Sequence, residues 1–269
     1  MDIFQYAFMQ RAFAVGIMLA VIIPCIGVVV VLKRLSMIGD ALSHTSLAGV
    51  AAGLVFGINP ILGAIVISII AALGIEFIRK RIPKFSEMSI AIIMSAGIGL
   101  AGVLSGFVKN AANFNSFLFG SIVAISDFEM YLVAVISFFV LLAFILLYKE
   151  LFYVSIDERA ARLAGIPVIS INFIFTILTA ITVSIAARTV GALIVSSMMV
   201  VPVACGMQFG KSYKQTVIYS IISAVLFTTV GLFVSYYAEL KPGGTIVLVG
   251  VVCLVTTIII KKLMGKSIS

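Results

Sequence analysis

Two side chains stand apart from the rest of the sequence. Asp40 and His44 are four residues apart, and the chain has one histidine. At that spacing one helical face presents both. Together they offer an oxygen and a nitrogen donor, a set suited to Mn²⁺, Fe²⁺ or Zn²⁺. Two ligands leave a metal shell incomplete, which suits transient binding and release. A second copy of the chain facing the first would complete it. Two other readings use the same atoms. One is a neutral Asp–His hydrogen bond that fixes helix packing; the other is a proton relay. Ser36, Ser43, Thr45 and Ser46 add hydroxyls nearby, either lining a wet path or bonding back to the helix backbone.

The other reactive residue types are scattered. Cys25, Cys205 and Cys253 lie in separate apolar runs, without the paired spacing of a metal knuckle or redox motif. They read as small buried hydrophobes. The run from Cys205 to Ser212 ends like a nucleotide-binding loop, Gly210-Lys211-Ser212. It lacks the loop's first glycine, follows an apolar span and has no α/β context. Lys211 reads instead as a charge at the inner membrane surface.

The elements that must hold Asp40 and His44 are apolar. Of 269 residues, 63% are apolar and 10% charged. Soluble domains sit near 45–50% and about 25%. The mean hydropathy is +1.30. So few charges cannot cover a soluble globule or furnish a sizeable domain in water. Disordered, disulfide-stapled and collagenous classes are excluded as well. The reading left is an all-α polytopic membrane protein, one transmembrane domain over residues 1–269.

Charged or turn-rich breaks give nine spans, near 5–32, 35–56, 60–78, 88–108, 128–148, 168–187, 190–208, 215–237 and 244–260. The segment 110–126, with Phe117-Leu118-Phe119 at its centre, reads as a short re-entrant or interfacial helix. The first span is too long for a signal-peptide core, and Asp2 is acidic where such a signal is basic. It reads as retained. Alternate loops hold Lys33, Arg34; Arg79, Lys80, Arg81, Lys84; Lys149, Arg159, Arg162; Lys211, Lys214; and Lys261, Lys262, Lys266. These are 14 of the 18 basic residues. The bias puts the N-terminus outside and the C-terminus in the cytoplasm. It also accounts for the net charge of +8 without nucleic acid.

With the second span starting near Leu35, His44 lies about 14 Å deep at 1.5 Å per residue. That is close to the middle of a roughly 30 Å hydrocarbon core. A carboxylate there is expensive unless paired, wet or metal-bound. Gly49, Gly53 and Gly57 share one helical face, and Gly102 and Gly106 form a second pair. Such spacing permits close helix approach, either as ordinary packing or as a subunit or moving contact. Pro24 and Pro202 fall inside spans, where protein or a cavity must cover the broken backbone bond. Met198 and Met199 read as core. Arg188 either snorkels to the headgroups or lines an outer vestibule. Asp127 and Glu129 either draw in cations or mark a span boundary. Glu76 lies beside a basic cluster that neutralises it.

The longest cytoplasmic segment runs from Lys149 to Pro167. Within it, residues 155–166 read as one short helix. Ser155 is the expected N-cap, Asp157 and Glu158 occupy the first turn, and Gly165 and Pro167 end it. It is either a plain connector or a helix that docks a soluble partner.

The run from Val28 to His44 contains the basic pair Lys33-Arg34, then Ser36, Gly39-Asp40-Ala41 and His44. It resembles the signature of the zinc/manganese/iron ABC transporter permeases. Phe117–Ser121, Val154–Glu158 with Ala164–Ile166, Val190–Ser196 with Pro202, Ser235–Tyr237 and Pro242–Ile246 also resemble that family. Gly206 is a mild departure. The resemblance implies the membrane subunit of a bacterial importer, similar in plan to the vitamin B12 and siderophore type. It implies a homodimer on two cytoplasmic ATPase subunits, fed by an extracytoplasmic metal-binding protein. The cargo would be Mn²⁺, Zn²⁺ or Fe²⁺, with no intrinsic cofactor and ATP used by the partner. It places Asp40 and His44 on the ion path. It makes 155–166 the coupling helix, with Ser155, Asp157, Glu158, Ala161 and Gly165 among its residues. A proton-coupled secondary transporter of metal cations is the alternative. It would need an intramembrane relay and no docking partner.

Overall fold

In a computed structural model of the chain the described residues are 2–82, 86–108, 125–192 and 194–263. Lys84, Lys109, Lys266 and the segment 110–124 lie outside them. So does the family-like stretch Phe117–Ser121. Every regular element among the described residues is helical. After a 3-10 turn at Asp2–Gln5 come α1 (Ala7–Leu32), α2 (Ile38–Phe56), α3 (Pro60–Arg81), α4 (Ser86–Ser105), α5 (Asp127–Leu146), α6 (Tyr148–Ile156), α7 (Glu158–Leu163), α8 (Val168–Thr189), α9 (Val195–Phe209), α10 (Tyr213–Tyr237) and α11 (Pro242–Leu263).

Seven of these helices are long and apolar enough to cross a membrane: α1, α3, α4, α5, α8, α10 and α11. The other two expected spans correspond to α2 and α9. Asp40, Ser43, His44, Thr45 and Ser46 dilute the hydropathy of α2. α9 has only 15 residues, short of the roughly 20 that a full crossing takes. Outward apolar stripes suit a lipid surround, such as Leu62, Val66, Ile70 and Phe77 on α3. Leu248, Val252, Val255 and Ile259 form a similar stripe on α11.

The chain sorts into two compact units. One holds the described residues of Met1–Leu32, Ile122–Phe144 and Ser197–Ser269. There α1 packs on α10, and α10 on α11. Pro24 is buried inside α1 and Met199 inside α9, as their apolar settings predict. Pro202 is likewise buried inside α9.

The other unit holds the described residues of Lys33–Ser121 and Ile145–Ser196. α2 is central in it and packs on α3, α4 and α8. Missing side chains make this possible. A Cβ on Gly49 would overlap the Gly63 carbonyl, and one on Gly53 would come within 2.8 Å of the Pro60 Cα. A Cβ on Gly97 of α4 would meet Thr45 at 2.6 Å. Gly49 and Gly53 therefore serve packing within the chain. Gly57 does not: it ends α2 at φ 70°, with open space around it. Gly102 faces open space too.

Candidate functional site

α2 begins at Ile38, not near Leu35. Residues 33–37 form a turn, with Arg34 at φ 57°. His44 is therefore about 9 Å along the helix from its first residue at 1.5 Å per residue, shallower than the spacing alone implied. Asp40 sits in the first turn, behind Met37, which supplies no side-chain cap. The open N–H groups and the dipole of that turn favour an anion there. Both Asp40 and His44 are half-buried. Neither is hydrogen-bonded or ion-paired to another described residue, or to the other.

The hydroxyls around them divide. Thr45 Oγ1 donates back to the Leu42 carbonyl at 3.0 Å, the local bond common for helical threonines. Ser43 is 1% exposed, and its Oγ has no partner. Among the described residues no three His, Cys, Asp or Glu cluster tightly enough to hold a metal. Within one chain the donor set at this point is the pair itself.

The segment expected in the cytoplasm differs from the single helix expected over 155–166. Ser155 is not its N-cap. It lies inside α6, is buried, and donates to the Phe152 carbonyl at 2.9 Å. The cap is Asp157, whose extended backbone breaks the helix. Its Oδ1 accepts from the amides of Arg159 at 2.7 Å and Ala160 at 3.1 Å. α7 then spans only Glu158–Leu163. Its end matches the expectation. Gly165 takes φ 83°, and the Ile166 amide donates to the Ala161 carbonyl at 3.1 Å. That is a Schellman stop. Pro167 opens α8. Ala161 is 1% exposed and faces inward, whereas Leu163 is 91% exposed.

Glu158 points into an ion cluster that sequence patterning missed. Lys33, whose side chain is 6% exposed, lies with its Nζ 3.2 Å from Glu158 Oε1. The same ammonium donates to Asn172 Oδ1 and sits 5.8 Å from the centre of the Phe175 ring. Asn172 Nδ2 donates to Glu158 Oε1 at 3.0 Å. Arg79 lies 3.6 Å from Glu158 and 2.8 Å from Glu76. Lys80 lies 3.6 Å from Glu76, so the expected neutralisation of Glu76 is present. Glu76, Arg79, Lys80, Glu158, Arg162 and Asn172 line a cavity of about 360 Å³. Burial alone would raise the Glu158 carboxyl. Lys33, the Asn172 amide and Arg79 outweigh it and hold the carboxyl below its ordinary value. For Lys33 burial prevails, and its ammonium is held below the usual lysine value. The available signal was Asn172, a lone amide in the apolar run of α8.

Two further acidic residues are spent on structure. Asp127 pairs with Arg11 at 2.8 Å. Ser126 and Glu129 cap α5 reciprocally, at 3.0 and 3.2 Å. These contacts fit the span-boundary reading of Asp127 and Glu129. The false nucleotide loop is a helix corner: Ser212 caps α10, and a Cβ on Gly210 would come within 2.8 Å of the Thr216 amide. Arg188, in the last turn of α8, borders a small cavity with Ser46 and Ser184.

A family model described as "ABC 3 transport family" matches residues 5–261. The chain belongs to this family. It is a multi-pass membrane permease, a transport component and not a catalytic one, and the resemblance carried by Lys33 to His44 is borne out. It is 34% identical over 256 residues to a "probable metal transport system membrane protein" of Treponema pallidum, covering 94% of this chain and 96% of the relative. It is 30% identical over 249 residues to a "manganese transport system membrane protein" of Listeria monocytogenes, with 92% and 89% covered. A "high-affinity zinc uptake system membrane protein" of Haemophilus influenzae is 28% identical over 238 residues, with 88% and 91% covered. Among solved structures, PsaBC from Streptococcus pneumoniae in complex with Fab matches with a TM-score of 0.86 at 27% identity. That match covers 95% of this chain and 92% of the other.

Proposed function

We propose that this permease carries divalent transition-metal cations, Mn²⁺, Zn²⁺ or Fe²⁺, inward across a bacterial inner membrane. One observation supports this above the others. Asp40 and His44 are unpartnered, half-buried donors on one face of α2, whereas Glu76, Asp127, Glu129, Asp157 and Glu158 are paired or capping. An ion path is a use for donors left open. Two copies facing one another would supply two carboxylates and two imidazoles, enough for a transient shell. A homodimer is thus part of the proposal.

The energy comes from two cytoplasmic ATPase subunits. α7 is the docking element, with exposed Leu163 as its apolar contact. An extracytoplasmic binding protein delivers the ion. Nine spans, with α2 and α9 among them, put the N-terminus outside and the C-terminus in the cytoplasm. The overall plan is that of the vitamin B12 and siderophore type.

The test is ATP-dependent uptake of Mn²⁺ and Zn²⁺ by the reconstituted assembly. D40N and H44A should each reduce uptake more than about tenfold, since even outer-shell changes at metal sites have effects of 10–100-fold. Normal uptake by an intact assembly would remove these residues from the path. Uptake driven by a proton gradient, with no ATPase bound, would favour the secondary-transporter mechanism. ATPase binding unchanged after L163E would remove α7 from docking.

A further inference from the structure

We infer that Lys33 is a positioning residue that ties the docking helix α7 to the head of α2, where Asp40 and His44 stand. This rests on the transport reading above.

Lys33 is placed for that role by contacts from separate elements. Glu158 comes from α7, and Asn172 and Phe175 from α8. Arg79 of α3 shares the same Glu158 oxygen at 3.6 Å. Lys80 and Arg162 line the adjoining cavity, and Glu76 balances Arg79. A displacement of Glu158 therefore has to break the Lys33 contact or carry it along.

The chain between Lys33 and Asp40 has little slack. Arg34 holds a left-handed turn at φ 57°. The Ile38 amide donates to the Leu35 carbonyl at 2.8 Å, and the Ala41 amide to Met37 at 3.2 Å. Movement of Lys33 is thereby passed to the first turn of α2. The cavity of about 360 Å³ beside Glu158 provides room for α7 to shift.

Stability does not explain the charge. Taking an ammonium and a carboxylate out of water offsets much of their attraction, and apolar isosteres often serve as well. The depressed value of Lys33 is the mark of that desolvation. A methionine would bury the same stem. What it could not do is hold Glu158, Asn172 and the α2 turn in one register.

The experiment compares K33M, K33R, E158Q and the double variant K33M/E158Q with wild type. Each is reconstituted with its ATPase subunit, and Mn²⁺ uptake per ATP hydrolysed is measured beside basal hydrolysis. K33M should keep the ATPase subunit and basal hydrolysis but lose about tenfold in uptake per ATP, within the usual range of coupling between sites. K33R should recover part of it. The double variant should lose no more than the worse single one, because both changes remove one contact. It also leaves no unpaired charge, so it tests the inference even if K33M fails to assemble. Wild-type uptake per ATP in K33M, or in the double variant, would overturn the inference. So would single losses that multiply in the double variant. Wild-type assembly that moves metal without ATP would instead overturn the transport reading, and this linkage with it.

Discussion

Asp157 shows how much one side chain decides in the segment between α6 and α8. Ser155 and Asp157 are both residues that cap helices, two positions apart, and patterning alone favoured the earlier one. The structure selects Asp157 because its carboxylate satisfies two amides while Ser155 stays helical. D157A should release those amides, at about 1 kcal/mol for a lost cap. The proposed docking helix has six residues, and beside the contacts of the Glu158 carboxylate this cap is what holds its first turn. ATPase-subunit affinity, measured by titration in detergent, should fall about fivefold, with D157N retaining most of it. Unchanged affinity for D157A would mean the cap is not needed for docking. Asp40 and His44 were legible in sequence because they are the ionisable side chains of a helix that otherwise carries none. The role of Lys33 was not: its Asn172 partner is 139 residues away, and span-boundary lysines all look alike.

At the scale of elements, spans were legible and their contacts were not. Hydropathy marks a helix but says nothing of which glycine meets which backbone. Gly49, Gly53 and Gly57 share a spacing, yet two are packed on α3 or its lead-in and the third is a left-handed stop. Gly102 and Gly106 share the motif without the close approach. The same substitution should therefore have opposite effects. G49A puts a methyl into the Gly63 carbonyl and forces α2 from α3. G102A enters open space in a helix interior, where alanine is favoured over glycine by about 1 kcal/mol. Thermal unfolding in detergent should show a lower midpoint for G49A and an unchanged or higher one for G102A. A midpoint for G49A at or above that of G102A would contradict the close crossing.

At the scale of the molecule, the placement of charge favours the proposed nine-span topology over a seven-span one. Seven helices pass on length and hydropathy alone. If only those crossed, α2 and its flanking turns would lie on one side. The loops carrying Arg79, Lys80 and Arg81, and then Lys149, Arg159 and Arg162, would both face outward. That reverses the positive-inside bias over two of the most basic segments. Crossing by α2 and α9 returns both to the cytoplasm. α2 is the less apolar helix because of Asp40, His44 and the hydroxyls beside them, the residues proposed for transport, so its polarity does not argue against crossing. Two positions separate the topologies. Ile58 follows α2 and Ala164 follows α7, and both are exposed. Each is changed to cysteine in a background where Cys25, Cys205 and Cys253 are alanine. A membrane-impermeant maleimide is applied to intact cells. With nine spans, I58C labels from outside and A164C only after permeabilisation. With seven, the two results exchange. Labelling of A164C in intact cells, with I58C protected, would end both the proposed orientation and the docking of a cytoplasmic ATPase on α7.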